Sequence, residues 1–249
     1  MYTSNAELDD DLMARAELIR DLREKLRRWE GRERGSAGAP VLSTGLPDLD
    51  RLLPQHGLAP GTLWEWLSAG AGAGSATLTL RVAARMQEQG ETLVVIDERR
   101  EFYPPAAAQR GIDLERTVVV QPASARDALW AWEQALRSPA ACTVWGWLER
   151  LDDRSFRRLQ LAAEAGGSLG LLLRPDACRR QTSWAEARLL VSALPRQDSA
   201  TPGRRLRVEL LHCRGGFGGG AAWVELDHEA GPMPVAAPVA DPAPARDVG

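Results

Sequence analysis

The feature that most restricts how this chain can fold is a regular alternation of short apolar runs with helical stretches. Runs of strand length occur at TLWEWL (62–67), TLVVID (92–97), TVVVQ (117–121), CTVWGW (142–147), SLGLLLR (168–174) and ARLLVSA (187–193). Segments of helical patterning separate several of them, over roughly 76–89, 104–111, 125–138 and 152–165. Strands that are apolar throughout must be buried on both faces, and parallel neighbours need a crossover helix between them. The pattern therefore predicts an α/β fold of three layers with a mainly parallel sheet. Two further runs, RRLRVELLHC (204–213) and AAWVELD (221–227), alternate apolar and polar residues around the stretch GGFGGG (215–220). They predict an antiparallel hairpin at the sheet edge. The core domain is expected over residues 41–229.

The flanks read differently. Residues 1–34 are expected to carry an N-terminal amphipathic helix, because Leu12, Ile19, Leu22, Leu26 and Trp29 form an a/d stripe with charge between them. Its acidic end (Glu7, Asp9, Asp10, Asp11) comes first and its basic end (Arg23, Lys25, Arg27, Arg28) last, as the helix dipole favours. Residues 35–40 read as a linker. Residues 230–249 are rich in Pro and Ala without an apolar face, which predicts a disordered tail.

Composition excludes several functions. The net charge of −3 supplies no global basic field for nucleic acid. No run reaches the roughly 18–20 apolar residues of a membrane span. The acidic N-terminus does not resemble a secretory signal, so a cytoplasmic location is expected. Cys142, Cys178, Cys213, His56, His212 and His228 are scattered without ligand spacing, so no metal site is expected. Neither G-x-S-x-G nor H-E-x-x-H occurs.

The first strand runs into SAGAGAGSATLTLRVAARM, a Gly-rich turn that opens a helix. A phosphate loop belongs at this place, with backbone N–H groups and a helix N-terminus facing an anion. Laid over the pattern G-x-x-x-x-G-K-[ST], the four fixed positions fall on Ala69, Gly74, Ser75 and Ala76. Gly70, Gly72 and Gly74 survive, and Thr77 offers a hydroxyl one residue late. The lysine does not survive. Lys25 is the only lysine in the chain, on the predicted N-terminal helix, and arginine does not reproduce its compact ammonium in such a loop.

The order ST-G-x-x-x-L-D (Ser43–Asp50), strand, Gly-rich loop, ATLTLRVAARMQEQGETLVVID (76–97) and QRGIDLERTVVVQP (109–122) is similar to the RecA recombinase core. It resembles more closely the ImuA family, RecA-like proteins of bacterial mutagenic lesion-bypass operons, over residues 40–227. The resemblance to RecA enzymes implies a water-orienting glutamate two residues after Asp97, where this chain has Arg99, with Glu98 one residue out of register. It also implies a magnesium-linked aspartate at the end of the fourth strand, where this chain has Gly146. Phosphoryl transfer rests on positioning and charge neutralisation. With lysine, metal hydroxyl, aspartate and glutamate all replaced, the expectation is a protein without ATPase activity and without a cofactor.

In RecA, Gly-rich loops after the fourth and fifth strands hold single-stranded DNA. Here a helix at 148–165 and the short RPDACRRQTSW (174–184) stand in those places. Arg154, Arg157, Arg158, Arg179, Arg180, Arg204, Arg205 and Arg207 form basic clusters that suit a solvated face, a phosphate-tracking patch or a protein rim. Six of the nine tryptophans fall in W-x-W pairs (Trp64/Trp66, Trp130/Trp132, Trp145/Trp147), expected to be core rather than exposed platforms. The resemblance implies an adaptor that binds the RecA recombinase or a Y-family-like polymerase homologue in the DNA-damage (SOS) response, supporting error-prone translesion synthesis. The N-terminal stripe is one expected contact, and direct DNA contact is expected to be weak. Two alternatives stand beside it: a RecA-like ATPase with a displaced phosphate loop, and a SulA-like cell-division inhibitor.

Overall fold

The computed structural model describes residues 41–88, 90–141, 143–195 and 203–226. The predicted N-terminal helix with its Leu12–Trp29 stripe, the linker 35–40 and the tail 230–249 lie outside the described residues.

Among the described residues one sheet runs through the domain. Its strands are β1 (Leu63–Ser68), β2 (Leu93–Ile96), β3 (Thr117–Val120), β4 (Thr143–Trp147), β5 (Leu169–Pro175), β6 (Ala187–Ala193), β7 (Arg204–Cys213), β8 (Gly216–Phe217) and β9 (Ala221–Leu226). The order is β3-β2-β4-β5-β1-β6-β7-β8, with β9 also paired to β7. Pairing is parallel from β3 to β6 and antiparallel from β6 onward. The expected edge hairpin is present as β7 with β9. The Gly-rich connection also contributes β8, whose two residues pair with His212 and Cys213. Two residues are too few to leave a periodic signal in sequence.

The helices are α1 (Pro47–Leu52), α2 (Ser75–Gln87), α3 (Pro104–Ala108), α4 (Ala125–Arg137) and α5 (Asp153–Gly166). They lie on both faces, which gives the expected three layers of an α/β domain. On one face Leu78, Val82 and Met86 of α2 pack with Trp64, Trp66, Trp145, Leu171, Leu189 and Leu206. On the other, Trp132 and Leu136 of α4 and Phe156 and Leu159 of α5 pack with Leu63, Val94, Val144 and Leu172. Both long covering helices on this second face begin with a side-chain cap: Ser124 accepts from the Asp127 N–H at 3.2 Å, and Asp152 from the Ser155 N–H at 2.6 Å. The period of two places Trp64 and Trp66 on one side of β1 with Trp145 two strands away. The Trp130/Trp132 pair divides: Trp132 is fully buried, whereas Trp130, two residues earlier on α4, is 64% exposed. A helix turns the i and i+2 positions apart, so the W-x-W spacing could not keep both inside.

Candidate functional site

A cleft of about 390 Å³ opens at the C-terminal ends of the parallel strands, lined by the loop after β1, the start of α2 and Arg99, Trp147, Glu149, Pro175 and Arg204. The loop leaves β1 with the Ser68 hydroxyl donating to the Gly70 carbonyl at 2.9 Å and the Ala69 N–H donating to Val191 at 3.0 Å. It closes through the Ala73 N–H on the Gly70 carbonyl at 3.1 Å. Gly72 (φ 70°) and Gly74 (φ 88°) turn the chain in the left-handed region. At Gly74 a Cβ would also stand 2.7 Å from Leu206 of β7, so the residue needs both the conformation and the space. From there α2 begins, its Leu78 N–H donating to the Gly74 carbonyl at 2.9 Å.

Every member of the predicted phosphate loop is therefore at the cleft: Gly70, Gly72, Gly74, Ser75, Ala76 and Thr77 all line it. Arg204, expected only as part of a basic patch, lies here too and donates from Nη2 to the Gly72 carbonyl. Across the mouth Arg99 pairs with Glu149, its guanidinium 5.3 Å from the centre of the Trp147 ring. The Asp97 carboxylate is engaged by its own turn, accepting from the N–H groups of Glu101 at 2.9 Å and Phe102 at 3.1 Å. Gly146 faces Ile96 across the β2–β4 ladder, and a Cβ there would stand 2.3 Å from the Ile96 carbonyl oxygen. The backbone of β2 fills the place where a side chain would start.

The basic residues are distributed differently from one continuous patch. Arg158 pairs with Glu133 of α4, and the Arg157 guanidinium lies 4.7 Å over the Trp184 ring. Arg205 pairs with Glu225 at 3.2 Å and Arg207 with Glu209 at 2.6 Å. Arg154, Arg179 and Arg180 are exposed. The N-capping carboxyl of Asp152 sits beside this cluster. Its pKa is held below the ordinary carboxyl value by the Ser155 N–H, then by the Ser155 hydroxyl and by Arg154 and Arg158.

Sequence reasoning missed one group altogether. Glu65, between the two tryptophans of β1, is fully buried. It accepts from Arg174 of β5 at 2.8 Å, from Arg188 of β6 at 2.6 Å and from the Ser183 hydroxyl at 2.7 Å. Arg174 also donates to the carbonyls of Leu148 and Glu149, at 3.2 and 3.1 Å, and to the Gln181 side chain at 2.6 Å. Arg188 holds the carbonyls of Arg179 and Gln181 at 2.7 and 2.8 Å. One carboxylate and two guanidiniums thus fasten the segment after β5 to the sheet and to the chain that carries Glu149 into the cleft. The available signal was charge inside apolar strand runs, at residues 65, 174 and 188. Among the described residues no cluster of His, Cys, Asp or Glu could hold a metal ion, and no helix is long and apolar enough to cross a membrane.

Residues 31–144 match the family model of the RecA N-terminal domain. Protein ImuA of Caulobacter vibrioides (strain NA1000 / CB15N) is 29% identical over 213 residues, which covers 78% of this chain and 86% of that relative. Cell division inhibitor SulA of Edwardsiella piscicida is 36% identical over 93 residues, 37% of this chain and 50% of that relative. Among solved structures, that of the RadB recombinase matches with a TM-score of 0.59 at 18% identity, over 74% of this chain and 95% of the other, a likeness of fold.

Proposed function

Since the chain is an ImuA-family RecA-like protein, we propose that it serves as a non-catalytic accessory factor of DNA-damage-induced mutagenesis, recruiting a RecA-like or polymerase-like partner rather than hydrolysing ATP. The observation that carries the reading is the cleft's lining. A magnesium-bound nucleoside triphosphate does not fit the residues present. The loop has Ser75 and Ala76 where an ammonium and a metal-binding hydroxyl are needed. The β2 backbone leaves no room for a carboxylate at Gly146. Arg99, at the position where the RecA resemblance implies a water-orienting glutamate, is bound to Glu149.

An adaptor needs an open surface, and β3 offers one. Among the described residues it ends the sheet, and its Val118 and Val119 are 52% and 40% exposed with no charge or proline in Thr117–Val120. Natural edge strands normally carry such protection against pairing with another chain. The stripe Leu12, Ile19, Leu22, Leu26 and Trp29 is a second candidate contact. Capture of the full chain on immobilised RecA recombinase or on the polymerase homologue tests the reading. Retention is expected, with V118K/V119K or deletion of residues 1–34 weakening it. No retention by either partner would overturn it. The partial SulA match supports a second reading, a cell-division inhibitor, for which overexpression would produce filamentous cells.

A further inference from the structure

We propose that the open outer face of the β7–β9 hairpin is a docking surface for a second copy of this chain, centred on Trp223. This goes beyond the accessory role and does not depend on it.

Side chains alternate along both strands. On one side Leu206, Val208 and Leu210 of β7 and Val224 and Leu226 of β9 enter the core. On the other, β7 presents Arg205, Arg207 and Glu209, and β9 presents Trp223 and Glu225. Helices α4 and α5 cover this second face over the centre of the sheet. Beyond them the 3-10 turn Asp176–Arg180 takes over, with Cys178 packed on Leu67, Leu190 and Leu211. Past Leu211 no described element lies over the face, and Trp223 is 53% exposed there. A large aromatic in mid-strand on a bare sheet face is what a covering partner would bury.

The charges around it indicate which partner. Trp223 lies directly across from Arg207. Arg205 pairs with Glu225 across the two strands and Arg207 with Glu209 along β7. Among the described residues the face therefore has two carboxylates and two guanidiniums. A surface that tracks phosphates needs an excess of positive charge, and the described residues of this one supply none. A copy related by a two-fold axis presents the same set in reverse, so each arginine can meet a glutamate while the two indoles bury together. The Arg205–Glu225 pair is exposed and the Arg207–Glu209 pair half-buried, and solvent-screened pairs of this kind hold little energy of their own, so exchanging partners across a two-fold axis carries little penalty. Tryptophan and arginine are also the side chains that dominate such interfaces.

Sedimentation velocity on the full chain over rising concentration is the test. A concentration-dependent dimer is expected, with W223S raising its dissociation constant by about tenfold or more, the loss of a central aromatic anchor. Two charge-reversed variants, R205E/R207E and E209R/E225R, should each be monomeric alone and associate when mixed. Near-UV circular dichroism should show all three variants folded. A monomer at every concentration, a dimer that W223S leaves unchanged, or reversed variants that stay apart when mixed would each overturn the proposal. So would single-stranded DNA binding by a monomer that W223S abolishes, which would make nucleic acid the occupant.

Discussion

Ile96 and Gly146 face each other across the β2–β4 ladder so closely that a Cβ on residue 146 would stand 2.3 Å from the Ile96 carbonyl oxygen. β2 and β4 pair at normal strand spacing here only because residue 146 has no side chain. G146A is expected to destabilise the fold by about 1–3 kcal/mol, the range for overpacking a core, as read from the urea midpoint. G146D, which sets a carboxylate where the RecA resemblance implies one, should destabilise further and yield no magnesium-dependent turnover.

Arg204 of β7 ties the Gly-rich loop to the edge hairpin through the Gly72 carbonyl. A single partly exposed hydrogen bond contributes about 0.5–1.5 kcal/mol, so R204A should change global stability by no more than that. Its local effect should be larger. Amide hydrogen exchange is expected to quicken over residues 70–74 and to stay unchanged in β4 and β5.

Strand positions were readable from sequence because burial on both faces forces continuous apolar runs, and each of the longer strands lies within a residue or so of such a run. The edge hairpin was readable from its period of two. What could not be read is contact between elements whose adjacency depends on strand order. Arg204 and Gly72 lie 132 residues apart, and Glu65 and Arg188 lie 123 apart. Only the 5-1-6-7 order of the sheet brings them together. The same limit applied to the basic clusters: Arg205 and Arg207 look like a free patch until β9 and Glu209 supply their partners. The residue types at the loop, Ser75 and Ala76 among them, were legible from sequence alone, but the close approach of Ile96 to residue 146 was not.

The Glu65 carboxylate holds two buried guanidiniums, from Arg174 and Arg188. Removing one partner from a buried ionic group leaves charge without compensation, which costs about 3–5 kcal/mol. E65Q should lose stability of that order in urea unfolding. Because Arg174 and Arg188 also fix the Gln181 segment, limited proteolysis should cut E65Q within residues 176–184 before any other described segment.

Asp152 caps α5 with a carboxyl whose pKa is lowered chiefly by the Ser155 N–H. A carboxyl whose pKa falls on folding stabilises the native state above its unfolded value. That contribution disappears as pH falls through the lower, folded value. D152N retains a capping oxygen without the charge, so its melting temperature should lack this acid-side decline. Parallel melting curves of both proteins from neutral to acidic pH will show whether the difference vanishes at the acid end.

Steady-state ATP hydrolysis by the purified full chain, with magnesium and single-stranded DNA present, is the most direct measurement of the central claim. The expected result is release of phosphate no faster than in buffer at any ATP concentration. Saturable turnover that G74A abolishes would contradict it and make the cleft a working ATPase site.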